Sequence, residues 1–515
     1  MSWLNVWPLM IPLMPGLAAL WIGGVMGARN QSERHTAWIA LTSMMISLLG
    51  IVTLDLWSIW QGLPGHRIWQ TWWESGGTRI TISWLLDLPA LVMTTLVALG
   101  CLTAGRFGIN YMHREPGFHR FFATLCLFAS GMFWIALAGN ALLTFVGWEL
   151  AGVASFLLIS YARERTTAAE NATRALMTNR FGDAGMLFSL AMTLAAVGSV
   201  EWPRILNADF PPGAPPIPII LLGFLVAALA KSAQIPFFAW IARALEGPTP
   251  SSALFYGSLL AHAGVFLVIR LEPLLWHSPM WMTLLMLLGL TTAILAPAIG
   301  RVQSDVKSAL IFSTQAQIGW MFFACGAGLF DLALVHMTMH ASWRFYQFLL
   351  APSYLQQGGM TARQVPGWLA RSRSLYHFAL QRGWFDNLTD ALITRPTLAL
   401  AQDARLFEEV VVNRIAGRPT HEIMLAQRAE WDDPLIQPLP DAHAITQGRG
   451  LFGRLLEKMA HILSWFEERL VLNSSGDGLV QGLRFLGDYL RHIDLSLGKP
   501  RYLILMIVLT FLVIL

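Results

Sequence analysis

Charge is scarce in this chain. Asp, Glu, Lys and Arg make up 13% of its 515 residues, about half the share of a soluble domain. A water-facing surface for a chain of this length cannot be built from so few charges, so most of it faces lipid. Cysteine is nearly absent. Cys101, Cys126 and Cys325 lie in apolar runs with no CxxC pair, which excludes a disulfide framework and a cysteine metal site. The net charge of +4 is too small for a nucleic-acid surface and fits loop charge at a membrane. What the chain has instead is 55% hydrophobic residues, a mean hydropathy of +0.52 and 22 Trp, the composition of a polytopic helical membrane protein with an interfacial aromatic belt.

A spanning helix needs about 20 apolar residues. Eleven spans are predicted: Leu4–Met26, Trp38–Trp60, Leu86–Ala104, Phe121–Ala138, Ala141–Tyr161, Ala184–Val200, Ile217–Ala230 continuing past Lys231, Ala253–Ile269, Trp281–Ile299, Ala309–Phe330 and Leu332–Tyr354. The first lacks a basic flank and is followed by more spans, so it reads as a span and not as a signal peptide. Arg29 and Arg34, then Arg106, Arg114 and Arg120, then Arg163, Arg165, Arg174 and Arg180 follow spans one, three and five. The positive-inside rule places these on the cytoplasmic side, with the N-terminus outside. On the outer side, the alternation Thr78-Arg79-Ile80-Thr81-Ile82-Ser83 predicts a short hairpin strand.

Residues 355–500 contain 16 Lys and Arg and no apolar run long enough to span. They read as a cytoplasmic, amphipathic tail that docks a partner. In Leu451–Leu470, apolar residues recur every three or four positions. The chain closes on Tyr502–Leu515, an apolar stretch that reads as a short C-terminal membrane helix, residues 501–515.

An ionisable side chain in mid-membrane costs at least about 2.5–3.5 kcal/mol. Each one there needs a partner, a hydrated cavity or a task. Glu149 sits well inside span five, and Lys231 ends an uncharged run before Ser232-Ala233-Gln234-Ile235-Pro236. Pro236 has no N–H, so the helix must break there. Broken helices occur in membranes where backbone lines a polar cavity, and a Lys at such a break can gain and lose a proton. His336 and His340 are four apart, on one helix face, and Arg344 continues that face. Imidazole suits a proton relay. Arg180 and Asp183 open span six, Lys307 and Asp305 open span ten, and His262 lies inside span eight. The proton pathway expected from these residues is Glu149, Lys231, His336, His340, Lys307, Asp183, Arg180 and His262. Arg344 is its exit or an interface anchor.

These residues sit in motifs that resemble the antiporter-like subunits of respiratory complex I, the NuoL type, and the related MrpA antiporter subunit. Phe145-Val146-Gly147-Trp148-Glu149-Leu150-Ala151-Gly152 resembles F-x-G-W-E-x-x-G. Asn179-Arg180-Phe181-Gly182-Asp183 resembles N-R-x-G-D, and Lys231 to Phe237 resembles K-S-A-Q-x-P-F. Glu246-Gly247-Pro248-Thr249-Pro250 with Ser252-Ala253-Leu254 resembles E-G-P-T-P-x-S-A-L. Asp305-Val306-Lys307, Ser313-Thr314 and Gln317-Ile318-Gly319 match the next block, and Trp384-Phe385-Asp386-Asn387 resembles part of the C-terminal region.

The resemblance implies an all-α antiporter-like bundle. In it Glu149 is the channel acid, Lys231 the broken-helix lysine, and His336 and His340 part of the polar axis. The chain departs from the NuoL pattern at Tyr256, where that type has His, and at Arg344, where it has Lys. Arg does not deprotonate, so no proton hops through it. No counterpart of the family's later spans, with their distal exit site, is recognisable between Tyr354 and Leu515.

The reading most like a shortened member is DabB, the membrane subunit of the DAB inorganic-carbon accumulation complexes. Its partner DabA is a large zinc protein resembling a β-carbonic anhydrase that would hydrate CO₂. On that reading this chain conducts H⁺ or Na⁺, carries no cofactor of its own, and energises a zinc-containing partner. The alternatives are a proton-pumping subunit of complex I or of a membrane-bound hydrogenase, an Mrp-type cation/proton antiporter subunit, and a structural anchor.

Overall fold

The computed structural model describes residues 3–25, 32–75, 78–162, 164–207, 210–303, 305–356 and 365–407, together with Lys458 and His461. The chain opens with α1 (Trp3–Val25) and α2 (Glu33–Gln61). Three prolines lie inside α1. Pro15 cannot donate to the Ile11 carbonyl, and the Ser47 hydroxyl of α2 does so instead at 2.7 Å. A two-stranded antiparallel hairpin follows, β1 (Gly65–Ser75) and β2 (Thr78–Leu86), paired from Gly65 opposite Leu86 to Ser75 opposite Thr78 with register shifts between Ile68 and Gln70 and between Thr71 and Trp73. The strand expected from the 78–83 alternation is β2. Its inner face is clipped to the bundle by Glu201, whose carboxylate accepts from Thr81 Oγ1 and Ser83 Oγ at 2.7 Å and pairs with His66 Nε2 at 3.0 Å.

The bundle continues with α3 (Leu88–Tyr111), α4 (Phe118–Leu137), α5 (Ala141–Ile159), α6 (Thr166–Val197), the short α7 (Trp202–Leu206) and α8 (Ile217–Lys231). Asp87 caps α3 by accepting from Ala90 N at 2.9 Å, and Asn140 caps α5 by accepting from Leu143 N at 2.7 Å. After α8 come one-turn helices α9 (Trp240–Arg243) and α10 (Thr249–Ser252), a π-helical stretch Ala253–Ser258, then α11 (Ala263–Arg270) and α12 (Glu272–Leu275). The long helices α13 (Pro279–Gly300), α14 (Val306–Gly326) and α15 (Phe330–Gln356) follow. Then come α16 (Gly367–Arg371), α17 (Arg373–Leu380), α18 (Phe385–Thr389) and α19 (Arg395–Phe407).

In lipid, helices associate through close packing and not through water exclusion, which favours glycine at crossings. A Cβ on Gly223 of α8 would lie 1.9 Å from the Gly185 carbonyl of α6, and one on Gly147 of α5 would lie 2.6 Å from the Gly131 carbonyl of α4. Backbones therefore touch at both crossings, α8 on α6 and α5 on α4. The three cysteines are free and buried.

Among the described residues eight helices are long and apolar enough to cross a membrane: the first six long helices, the composite Thr249–Arg270, and α13. The chain is thus a helical membrane protein with at least eight candidate spans and one small hairpin. The other three predicted spans fold as α8, α14 and α15. The first is short at 15 residues. The other two carry Gln315, Gln317, His336, His340 and Arg344, which lower their hydropathy.

The chain divides into two compact units, the first running from Met1 through Ile393 and the second beginning at Thr394. Of the tail expected from residue 355, residues 365–393 therefore belong to the bundle's unit. In the second unit the described residues are 394–407, Lys458 and His461. The remainder of the Leu451–Leu470 stripe, and the terminal Tyr502–Leu515 run, lie outside the described residues.

Candidate functional site

Two polar clusters occupy the interior of the first unit. The first joins α5, α6 and the end of α8. Glu149 is two turns into α5, and Arg180 and Asp183 stand three apart on one face of α6. The Arg180 guanidinium pairs with the Glu149 carboxylate and lies 3.1 Å from Asp183 Oδ2. Lys231 is 1% exposed. Its Nζ donates to the Trp148 carbonyl at 3.4 Å and sits 4.9 Å from the centre of that indole. Two carboxylates and two cations give formal neutrality, which is what makes four ionisable groups tolerable at this depth. Glu149 is paired with Arg180, and both Glu149 and Asp183 lie near enough to Lys231 to interact with it electrostatically. Arg180 is also the accessible member, its side chain 40% exposed against 5% for Glu149 and 4% for Asp183.

Gly152, one turn beyond Glu149, faces both cations. A Cβ there would lie 3.3 Å from Arg180 Nη2 and 3.3 Å from Lys231 Nζ. Gly152→Ala is expected to push these groups apart by tenths of an ångström. It should lower ion flux about tenfold, within the range of single-residue coupling effects, with the thermal midpoint nearly unchanged. Flux equal to wild type in vesicles would show that the spacing of the two cations is unimportant.

The break after Lys231 has a clear cause. Ala233 takes a left-handed φ of +48° and Pro236 has no N–H to donate, so the helical ladder cannot continue through Pro236. The freed backbone groups find other partners, as they must where no water is at hand. Gln234 N donates to the Leu229 carbonyl at 2.9 Å. The Gln315 side-chain amide of α14 donates to the carbonyls of Ala233 and Phe238 at 3.1 and 3.2 Å. Trp240 Nε1 donates to the Ala230 carbonyl at 2.9 Å, and Ser232 Oγ to that of Ala261 at 2.7 Å.

The second cluster joins α11's approach to α14 and α15. His262 Nε2 and His340 Nδ1 are 3.1 Å apart, and Arg344 Nε donates to His340 Nε2 at 3.4 Å. That donation makes His340 Nε2 an acceptor, so neutral His340 carries its proton on Nδ1 and gives it to His262. Arg344 Nη2 also donates to Ser313 Oγ at 2.8 Å. His336 is half-buried and shares a hydrogen bond with Gln317 Oε1 at 2.9 Å. The pair expected on one face of α15 is on one face, but His340 turns to His262 and His336 to Gln317.

Tyr256 is buried and donates to the Ala244 carbonyl at 2.6 Å. Lys307 stands apart from both clusters: its Nζ donates to Thr249 Oγ1 at 2.8 Å, and that hydroxyl is 3.0 Å from Tyr111 Oη. Asp305 caps α14 through Ser308 N at 2.7 Å.

Among the described residues no hydrogen bond or ion pair joins the two clusters directly. The expected convergence of Glu149, Lys231, His336 and His340 is therefore indirect. Ser232, next to Lys231, bonds to Ala261, next to His262, so the break is the nearest link. Gly152, Trp240, Ser313, Gln315 and Gln317 are the neighbours that sequence reasoning did not single out for roles. Ser313 and Gln317 lie in a quoted motif; for Gln315 and Trp240 only the fold supplies a signal.

Residues 138–372 match the family model described as NADH:quinone oxidoreductase/Mrp antiporter, transmembrane, and residues 72–122 that for the N-terminus of complex I chain 5. The NAD(P)H-quinone oxidoreductase chain 5 of a Synechocystis species is 31% identical over 67% of this chain and 52% of its own length. NADH-quinone oxidoreductase subunit L of Neisseria meningitidis is 32% identical over 67% of this chain and 53% of its own length. The chain thus spans about half the length of the curated relatives it matches. Among solved structures, one of the Mrp complex from a Dietzia species aligns with TM-score 0.59 and 25% identity over 69% of this chain and 38% of that one.

Proposed function

Because the chain belongs to the complex I subunit 5/L and Mrp antiporter-like family of membrane subunits, we propose that it translocates protons as one subunit of a larger membrane complex. The observation that carries this is a buried lysine at a helix break beside a charge cluster that is neutral only as a whole. Adding or removing one proton there unbalances the cluster, so proton exchange and rearrangement of the ion pairs are coupled. The His340–His262 pair offers a second station, and Arg344 stands beyond it as a cation that holds its proton. In this reading the bundle has eleven spans, with the loops bearing Arg34, Arg114 and Arg165 on the cytoplasmic side of a bacterial inner membrane, and residues from 355 onward serve as the docking tail.

A narrower reading makes the partner a large zinc protein of the DabA kind, hydrating CO₂ for inorganic-carbon uptake. Arg344 is on its side: a non-exchanging cation after His340 would leave onward transfer to a group supplied by the docked protein. The chains that co-purify with this one decide the matter. Quinone-oxidoreductase or hydrogenase subunits would place it in a redox pump, several small membrane subunits in an Mrp-type antiporter, and a large zinc protein in the carbon-uptake reading. Function itself is tested with the purified complex in vesicles, following internal pH under an imposed potential with and without Na⁺. Proton uptake that His340→Ala abolishes is expected. Uptake absent from the wild type, or indifferent to His340→Ala, would overturn the relay.

A further inference from the structure

We propose that Asp386, Arg243 and Trp240 form a clamp through which the segment after the last long helix sets the position of Lys231; the inference rests on the proton-translocation reading. Where α8 ends, the carbonyls of its last turn lose their helical donors. Ala230, the residue before Lys231, has a carbonyl that accepts from Ala233 N at 3.2 Å and, more closely, from the Trp240 indole N–H at 2.9 Å. Trp240 and Arg243 open and close the single turn of α9. Arg243 Nε donates to Asp386 Oδ1 of α18 at 2.9 Å. A short path of direct contacts thus runs from α18 through α9 to the peptide that holds Lys231.

The grip of α18 is two-sided. Phe385 packs on Phe238 with ring centres 5.5 Å apart, just before α9, while Asp386 takes Arg243, the last residue of α9. A third contact reaches the other wall of the charge cluster. Asp390 pairs with Arg174 of α6, two turns from Arg180, at 3.5 Å. The segment therefore holds both the helix break and the helix that carries Arg180 and Asp183.

The segment is held by these contacts and not by local preference. Arg382, Gly383 and Trp384, which lead into α18, have φ of +53°, +69° and +55°. Left-handed backbone is unfavourable for Arg and Trp, and it persists only where surrounding contacts over-determine it. Beside the clamp lies a cavity of about 610 Å³ bordered by Arg243, Arg382, Asp386, Glu246, Asp305 and Ser308. The Arg243–Asp386 pair is partly open, with side chains 29% and 19% exposed. α18 thus has polar space into which it can shift, and a shift draws α9 and the Ala230 carbonyl with it. Asp386, Arg243 and Trp240 act on the lysine only through the backbone, so they are positioning residues.

The test uses the intact complex in vesicles. Asp386→Asn and Trp240→Phe are each expected to lower proton flux about tenfold, and the double variant no further, because both cut one path. The charge swap Arg243→Glu with Asp386→Arg should restore flux to near wild type, which a packing role would not predict. Multiplicative losses in the double variant, unchanged flux in the singles, or failure of the swap would overturn the clamp. Hydrogen exchange gives a readout independent of conduction. The Gln234 amide, inside the break, should exchange about tenfold faster in both single variants. Unchanged exchange there would overturn the clamp even if wild-type vesicles prove not to conduct, and that second failure would count against the proton reading alone.

Discussion

Lys231→Arg is expected to leave the complex assembled and to cut proton flux about 100-fold or more, the scale of removing a positioned proton-transfer group. The substitution keeps a cation at the helix break, so the formal balance among Glu149, Asp183 and Arg180 is preserved. It removes only the ability to release the proton, because guanidinium does not deprotonate in proteins. Lys231→Met is expected to lose flux as well, but it also leaves two carboxylates facing one guanidinium in a buried cluster. The arginine variant therefore separates proton exchange from charge balance. Flux is read from internal pH in vesicles, and assembly from co-purification. A Lys231→Arg complex that conducts like the wild type would show that the residue serves as a fixed charge.

The second large effect is on stability. Arg180→Leu is expected to cost about 3–5 kcal/mol, because it strands Glu149 and Asp183 as buried carboxylates without their shared partner. The thermal midpoint in detergent should fall markedly and yield should drop. Arg180→Leu combined with Asp183→Asn should recover much of the loss, since Lys231 then balances Glu149 alone. No recovery in the double variant would mean that Arg180 stabilises through its packing or its exposed face. A midpoint unchanged in the single variant would mean that water or a neighbouring subunit already solvates the two acids.

The two predictions rest on knowledge of different origin. That Glu149 and Lys231 are out of place in lipid was legible from their apolar surroundings, and the break from Pro236. That His336 and His340 share a face followed from their spacing of four. Pairing was not legible in this way. The structure pairs Glu149 with Arg180 and sets Lys231 against the Trp148 carbonyl and ring. It also gives His340 to His262, a pairing that the position of His262 in the sequence does not signal. Lys307, grouped with the expected pathway, donates to Thr249 Oγ1, a partner that its position in the sequence does not signal.

The sequence by itself therefore determined the solvent of the protein, the approximate positions of its long helices, the outer hairpin strand and the positions where an ionisable group needs a reason to exist. These follow from local properties: hydropathy over a helix length, period-2 alternation, a missing N–H, a spacing of one turn. Only the tertiary structure decided which charge answers which. Partner choice depends on helix crossings set by backbone contact, such as Gly185 against Gly223, between residues far apart in the chain. It decided equally that Asp386 belongs to the site. Asp386 lies 143 residues after Arg243, and no periodicity or composition carries information across that interval; the carboxylate arrives there because the chain folds back onto its own broken helix.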